Sequence, residues 1–270
     1  MNKGFILLII TFFIYSCSEI FENKDLSLFK ETPVWRLAKA VNIEDVDKIE
    51  SSIAELKLNI DYQEPKFGFT VLHFSVIHER FKSTQTLLEL GANPNLKNTS
   101  YGTSPFIEAA AKKKPDLLHL FLKYDAEINA EAETDEKELY STPLIASITG
   151  GIENVFLLVE AGANVDYKTK KGDTALNRAF LRGEVDIDIP YYLLFKTDAD
   201  IDNATFIFPN GKEIRLVERM RDWTFPLESY EHKKKMEIAS FLKEKGQDYW
   251  STPIPKHLFE VYPEDYLKKY

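Results

Sequence analysis

The sequence predicts an all-α repeat solenoid, and two observations carry that prediction. The segment LLELGANPN at 87–95 returns as FLKYDAEIN at 121–129, LVEAGANVD at 158–166 and LFKTDADID at 194–202, with a fainter copy, IAELKLNID, at 53–61. A second segment precedes each copy: ETPVWRLA at 31, FTVLHFSV at 69, TSPFIEAA at 103, STPLIASI at 141 and DTALNRAF at 173. Counted between the Thr/Ser slots Thr32, Thr70, Ser104, Thr142 and Thr174, the steps are 38, 34, 38 and 32 residues. Fixed periods of this size belong to stacked supersecondary units that each bury a face against a neighbour.

Each element follows from its residues. A Thr or Ser ahead of a helix accepts a backbone N–H as N-cap. Pro33, Pro105 and Pro143 follow at the first helical position, where a missing N–H costs nothing. Ala38, Ser75, Ala109 and Ala179 are small enough to let a first helix approach its neighbours, and Leu87, Leu88, Leu157 and Leu158 form the apolar stripe of the second. Gly91 and Gly162 fall where a left-handed residue ends a helix, whereas Asp125 and Asp198 take that slot less comfortably. Pro209-Asn210-Gly211 in FIFPNGKEI suits the turn of a β-hairpin. Residues 215–222 and 230–245 then supply two helices of a degenerate sixth repeat. The repeat array spans 32–248, and the aromatic tail 249–270 is expected to cap its last stacking face.

The period and the TP-x-x-x-A pattern resemble ankyrin repeats, five to six of them. That resemblance implies a non-catalytic module that binds another protein through hairpin tips and the exposed face of the first helices. Carried across, the contact positions are Lys66, Phe67, Phe69 and Phe74 in one repeat, then Ser100, Tyr101, Thr103 and Glu108. Tyr140 and Ala146 follow in the next, and Lys170, Lys171, Asp173 and Arg178 in the fifth. His73 fills the histidine of the signature, where the family implies a structural hydrogen bond between repeats.

The N-terminus carries a different signal. Lys3 precedes the apolar stretch Phe5 to Tyr15, the pattern of a secretory signal peptide over 1–16; a membrane span wants about 20 apolar residues. Ile14-Tyr15-Ser16-Cys17 resembles a bacterial lipobox and contains the chain's one cysteine. The resemblance implies a lipidated Cys17, cleaved to become the new N-terminus, with 17–31 as a tether to a cell-envelope membrane facing the periplasm or the cell surface. A diacylated cysteine anchors durably because two acyl chains hold where one is marginal.

Composition excludes other classes. Lys3 is the only charged residue ahead of Cys17, so removing residues 1–16 takes the formal charge from −9 to −10, which disfavours nucleic acid as a partner. No phosphate loop, zinc spacing or nucleophile elbow is present in the sequence. We therefore expect no enzymatic activity, metal, cofactor or small-molecule substrate. An immunity protein that neutralises a secreted toxin, or a scaffold for an envelope enzyme, are alternative readings of such a module. The acidic insertion AEAETDEKELY at 130–140 reads as a solvated finger within reach of a basic partner.

Overall fold

The computed structural model describes residues 25–57, 59–132, 142–169, 172–207, 211 and 213–270. These fall into two compact units, Met1–Leu139 and Tyr140–Tyr270. Cys17, the leader, residues 133–140 of the acidic finger and Ser141 lie outside the described residues.

In the first unit three helix pairs follow one another: α1 (Trp35–Asn42) with α2 (Val46–Leu56), α3 (Val71–Ile77) with α4 (Phe81–Glu89), and α5 (Pro105–Ala110) with α6 (Asp116–Phe121). First helices stack as α1–α3–α5 and second helices as α2–α4–α6. The second unit repeats the plan with α7 (Pro143–Gly150), α8 (Ile152–Glu160), α9 (Ala175–Arg182) and α10 (Asp188–Lys196). A two-stranded ribbon follows, β1 (Phe206–Ile207) against β2 (Glu213–Ile214), antiparallel with Phe206 opposite Ile214. Helices α11 (Leu216–Met220), α12 (Tyr230–Glu244) and α13 (Glu264–Leu267) complete it.

The local signals explain most boundaries. Thr70, Ser104, Thr142 and Thr174 accept the N–H of the third helical residue, and Pro105 and Pro143 occupy the first turn. The first repeat departs from the expectation. Thr32 Oγ1 donates to the Phe29 carbonyl at 2.7 Å, and α1 starts at Trp35 without a side-chain cap, so Pro33 sits in a turn. The cause lies upstream: Leu26–Phe29 form a 3₁₀ turn, and Phe29 is fully buried with its ring edge-on to Phe74 at 5.9 Å. Folded structure thus begins within the segment read as tether.

Gly91 (φ 87°) and Gly162 (φ 89°) end α4 and α8 in paired backbone bonds, Ala92 to Leu87 and Gly91 to Leu88 in one, Ala163 to Leu158 and Gly162 to Val159 in the other, the Schellman arrangement. Asp125 has φ 25°, but Asp198 is not among the positive-φ residues, because α10 ends in the extended Thr197. Replacing Asp125 by glycine is therefore expected to raise stability by up to about 1 kcal/mol, and the same change at Asp198 to give no gain. Urea unfolding of the two variants checks this. Leu87, Leu88 and Leu158 are buried, whereas Leu157 is half-buried on the solvent side of α8.

The repeated Asx pattern also has a structural role. Asp61 accepts the Asn93 N–H at 2.8 Å, Asn95 that of Glu127 at 2.9 Å, and Asp166 that of Asp200 at 2.7 Å. Each loop thus hands an acceptor to the next, which couples neighbouring repeats at the same point of the period.

The tail folds onto the end of the second unit. Leu258, Leu267 and Tyr270 form a small core with Ile254, Tyr262 and Tyr266 against it. Arg221 donates to the carbonyls of Thr252 and Tyr270 and lies 3.8 Å from the Tyr249 ring centroid. Lys235 is fully buried, donates to the Trp223 carbonyl at 2.7 Å, and stands 3.6 Å from the Tyr270 ring centroid. Burial, with Arg221 nearby, pushes the Lys235 ammonium down to about 6, and burial pushes the Tyr249 phenol up to about 12.

Candidate protein-binding surface

Two neighbouring hairpins of the first unit bring several of the sequence-derived positions together. The buried Glu64 builds one of them: Oε1 accepts the N–H groups of Phe67 (2.8 Å) and Phe69 (3.1 Å), and Oε2 accepts that of Lys66 (2.7 Å). Asn98 builds the next. Its Oδ1 accepts from Ser100 and Tyr101 at 3.1 and 2.7 Å, and its Nδ2 donates to the Thr103 carbonyl at 2.9 Å. The two hairpins are joined by backbone, with Thr99 and Ser100 N–H both donating to the Phe67 carbonyl. Gln63 bridges them through the carbonyls of Gly68 and Lys97, both at 2.8 Å. Gly68 (φ 74°) permits this approach, since a Cβ there would stand 2.6 Å from the Thr99 nitrogen.

On this frame Lys66 is exposed, with its Nζ 4.7 Å from the Phe67 ring centroid, and Phe67, Ser100, Tyr101 and Glu108 are half-buried. Thr103 donates its hydroxyl hydrogen to Glu108 Oε1 at 3.0 Å. Four of the expected contact residues do not belong to the surface. Phe69 is 4 % exposed and packs edge-on to His73 at 5.4 Å; Phe74 is 3 % exposed between Phe29 and His78. Both sit at the inward turn of the period, where the first helix meets its neighbours. Thr103 and Ala146 are buried too. In the second unit Asp173 and Arg178 form an ion pair at 2.6 Å. Tyr140, Lys170 and Lys171 lie outside the described residues.

His73 is a joint between repeats. The Thr70 N–H donates to Nδ1 at 3.1 Å, which leaves the proton on Nε2, facing the Thr103 carbonyl at 3.2 Å. Complete burial holds the imidazole down at about 4, against the opposing pull of the Thr103 carbonyl. Asn177 makes the same joint in the fifth repeat, accepting from the Thr174 N–H and donating to the Thr205 carbonyl. Glu64 and Asn98 were the residues missed by sequence reasoning. Their signal is positional, since each lies six residues ahead of its N-cap slot, Thr70 or Ser104. Among the described residues no group of three or more His, Cys, Asp or Glu side chains is placed to hold a metal ion, and no helix is long and apolar enough to cross a membrane.

Capped helix pairs, two backbone-joined hairpins and side-chain joints between repeats are the ankyrin-repeat fold, and comparison with known proteins agrees. The ankyrin-repeat family model matches residues 67–99. Human ankyrin repeat and SOCS box protein 6 is 30% identical over 133 residues, covering 47% of this chain and 31% of that protein. The chicken nuclear factor NF-kappa-B p105 subunit is 28% identical over 180 residues, covering 66% of this chain and 16% of its own. The chain thus spans less than a third of the length of these curated relatives. The crystal structure of EF0377, an ankyrin repeat protein, superposes with a TM-score of 0.58 at 26% identity, covering 78% of this chain and 98% of that one. Ankyrin repeats are a generic protein-interaction module, and the fold is typically a non-catalytic binding scaffold.

Proposed function

We propose that the chain is a non-catalytic protein-binding module, tethered to a bacterial envelope membrane by lipid on Cys17. The partner surface in this reading is the hairpin side of the first unit, centred on Phe67 and Tyr101. The observation that supports it is the bonding of Thr99 and Ser100 to the Phe67 carbonyl, which holds two aromatic side chains on adjacent hairpins of one rigid frame. Aromatics presented without an ordering cost suit interface anchors. The lipid tether rests on the lipobox-like residues 14–17 behind an apolar stretch.

The two halves of the proposal are tested separately. Cys17→Ala is expected to abolish incorporation of a radioactive fatty acid and to move the protein out of the membrane fraction. An unlabelled wild type would refute the anchor. Partner capture on the full-length chain, followed by surface-based kinetics, tests the surface. Tyr101→Ala and Phe67→Ala should each weaken binding by about 2 kcal/mol, roughly thirtyfold in Kd. Wild-type affinity in both would refute the hairpin side as the binding face.

A further inference from the structure

The tail that closes the second unit has little core of its own. Leu258, Leu267 and Tyr270 make up that core, Phe259 and Val261 stand 57 % and 69 % exposed, and its one α-helix, α13, is four residues long. It is held to the rest of the unit by polar contacts. The Tyr262 hydroxyl donates to Thr224 Oγ1 at 3.1 Å, the Tyr266 hydroxyl donates to the Phe225 carbonyl at 2.7 Å, and Arg221 donates to the carbonyls of Thr252 and Tyr270. A segment with so few buried apolar contacts opens at lower free energy than the helices it covers.

Under Tyr270 lies a basic group that the fold supplies with no ionic partner. Lys235 of α12 is fully buried, and its Nζ meets the Trp223 carbonyl and the rings of Tyr270 and Tyr249, whose centroids stand at 3.6 and 5.0 Å. The carboxylates that act on it are held elsewhere: Glu184 accepts the Thr224 hydroxyl at 3.1 Å, and Asp222 pairs with Arg219 at 2.6 Å. On α10, Asp188 is taken by Lys234. Arg221, also buried, repels the ammonium from the end of α11. His232, one turn earlier on α12 and hydrogen-bonded to the Lys269 backbone, adds a second basic group under the tail. Burying an ammonium without an ionic partner costs heavily, and a ring face offsets only part of that. The bond to Trp223 does not require the charge, since a neutral amine also donates N–H.

We propose that the tail 249–270 is a proton-operated strap, closed over Lys235 as the neutral amine and opened when Nζ takes a proton from solvent and turns out to water. Acidification then uncovers the stacking face that the tail otherwise hides. The direction follows from the two states. Closed, burial first and Arg221 second hold Lys235 down at about 6; open and solvated, it returns to the ordinary 10.5. Opening therefore takes up one proton between those values and becomes about tenfold more favourable for each pH unit of fall. Below about pH 6 the closed state is protonated as well, and that gain stops. His232, held down by burial first and by Lys235 second, adds a further uptake only below its ordinary 6.5. The proposal does not depend on the hairpin surface described above, and its test does not use that surface.

The test is hydrogen–deuterium exchange of the full-length chain from about pH 9 down to about pH 6.5, with rates corrected for base catalysis. The amides of Tyr262, Leu267 and Lys268 donate to backbone carbonyls inside the tail and report its opening. Their opening constant is expected to rise about tenfold per unit as the pH falls, roughly three-hundredfold over the range, while the amides of α8 do not follow. Lys235→Met keeps a side chain of similar length without a base, and its tail should stay closed with no slope. Lys235→Arg carries a cation at every pH and should leave the tail open throughout. Circular dichroism checks that both variants remain folded. A wild-type opening constant that changes less than about twofold, or a closed tail in Lys235→Arg, would overturn the proposal, because the cation would then be tolerated in place. So would the wild-type slope persisting in Lys235→Met, which would put the titrating group elsewhere. The same slope in the α8 amides would also overturn it, since the unit would then open as a whole.

Discussion

Replacing Trp223 by alanine is expected to destabilise the second unit by about 3–5 kcal/mol. The indole is 1 % exposed, lies against Phe180 at 5.0 Å between ring centroids, and donates from Nε1 to the Phe180 carbonyl at 3.1 Å. It ties α9 to the segment after α11, and its own carbonyl receives the ammonium of Lys235. Truncation would leave a cavity and remove the donor to a buried carbonyl. Gly183 is the reciprocal test: a Cβ there would lie 2.1 Å from Cζ2 of Trp223, although the backbone at Gly183 is ordinary helix. Gly183→Ala should cost about 2–3 kcal/mol by overpacking, and far less in a Trp223→Leu background, a coupling that a double-mutant cycle measures. Additive effects would show that the indole and Gly183 do not share that space.

The second large effect is pH dependence through His73. Its folded-state value near 4 lies below the ordinary 6.5, so the unfolded chain takes up the proton first as the pH falls. The stability tied to His73 is therefore complete above pH 6.5 and is lost as the pH falls from 6.5 towards 4, by about 2 kcal/mol at pH 5. His232 is lowered as well, by burial first and Lys235 second, and contributes with the same sign. His73→Asn isolates the joint, because Asn177 already makes the same two bonds in the fifth repeat. The variant should lose stability more slowly than the wild type between pH 7.5 and pH 5. Parallel urea midpoints over that range would contradict a buried neutral His73.

These two residues mark where the sequence was legible and where it was not. The N-cap slots at Thr70, Ser104, Thr142 and Thr174 act through bonds three residues long, and a local pattern carries them. His73 was legible because its place in the signature fixes its partners. The contact of Gly183 with Trp223 spans 40 positions and has no period to reveal it. Thr32 and Pro33 carry the same signature as the other repeats, yet Phe29, packed on Phe74, draws the preceding segment into the fold and moves the helix start. The ankyrin resemblance put Phe67, Phe69 and Tyr101 alike at the hairpins, and Phe67 and Tyr101 are half-buried there. Phe69 differs from Phe67 by two positions, and only the inward turn of the backbone between Gly68 and Thr70 separates buried from half-buried.

The measurement closest to the central claim is hydrogen–deuterium exchange on the full-length chain with and without its captured partner. The hairpin segments 64–69 and 98–104 are expected to gain protection on binding, because their N–H groups border the surface that Phe67 and Tyr101 present. Protection confined to α2, α4 and α6, with the two hairpins unchanged, would contradict the assignment of the binding face.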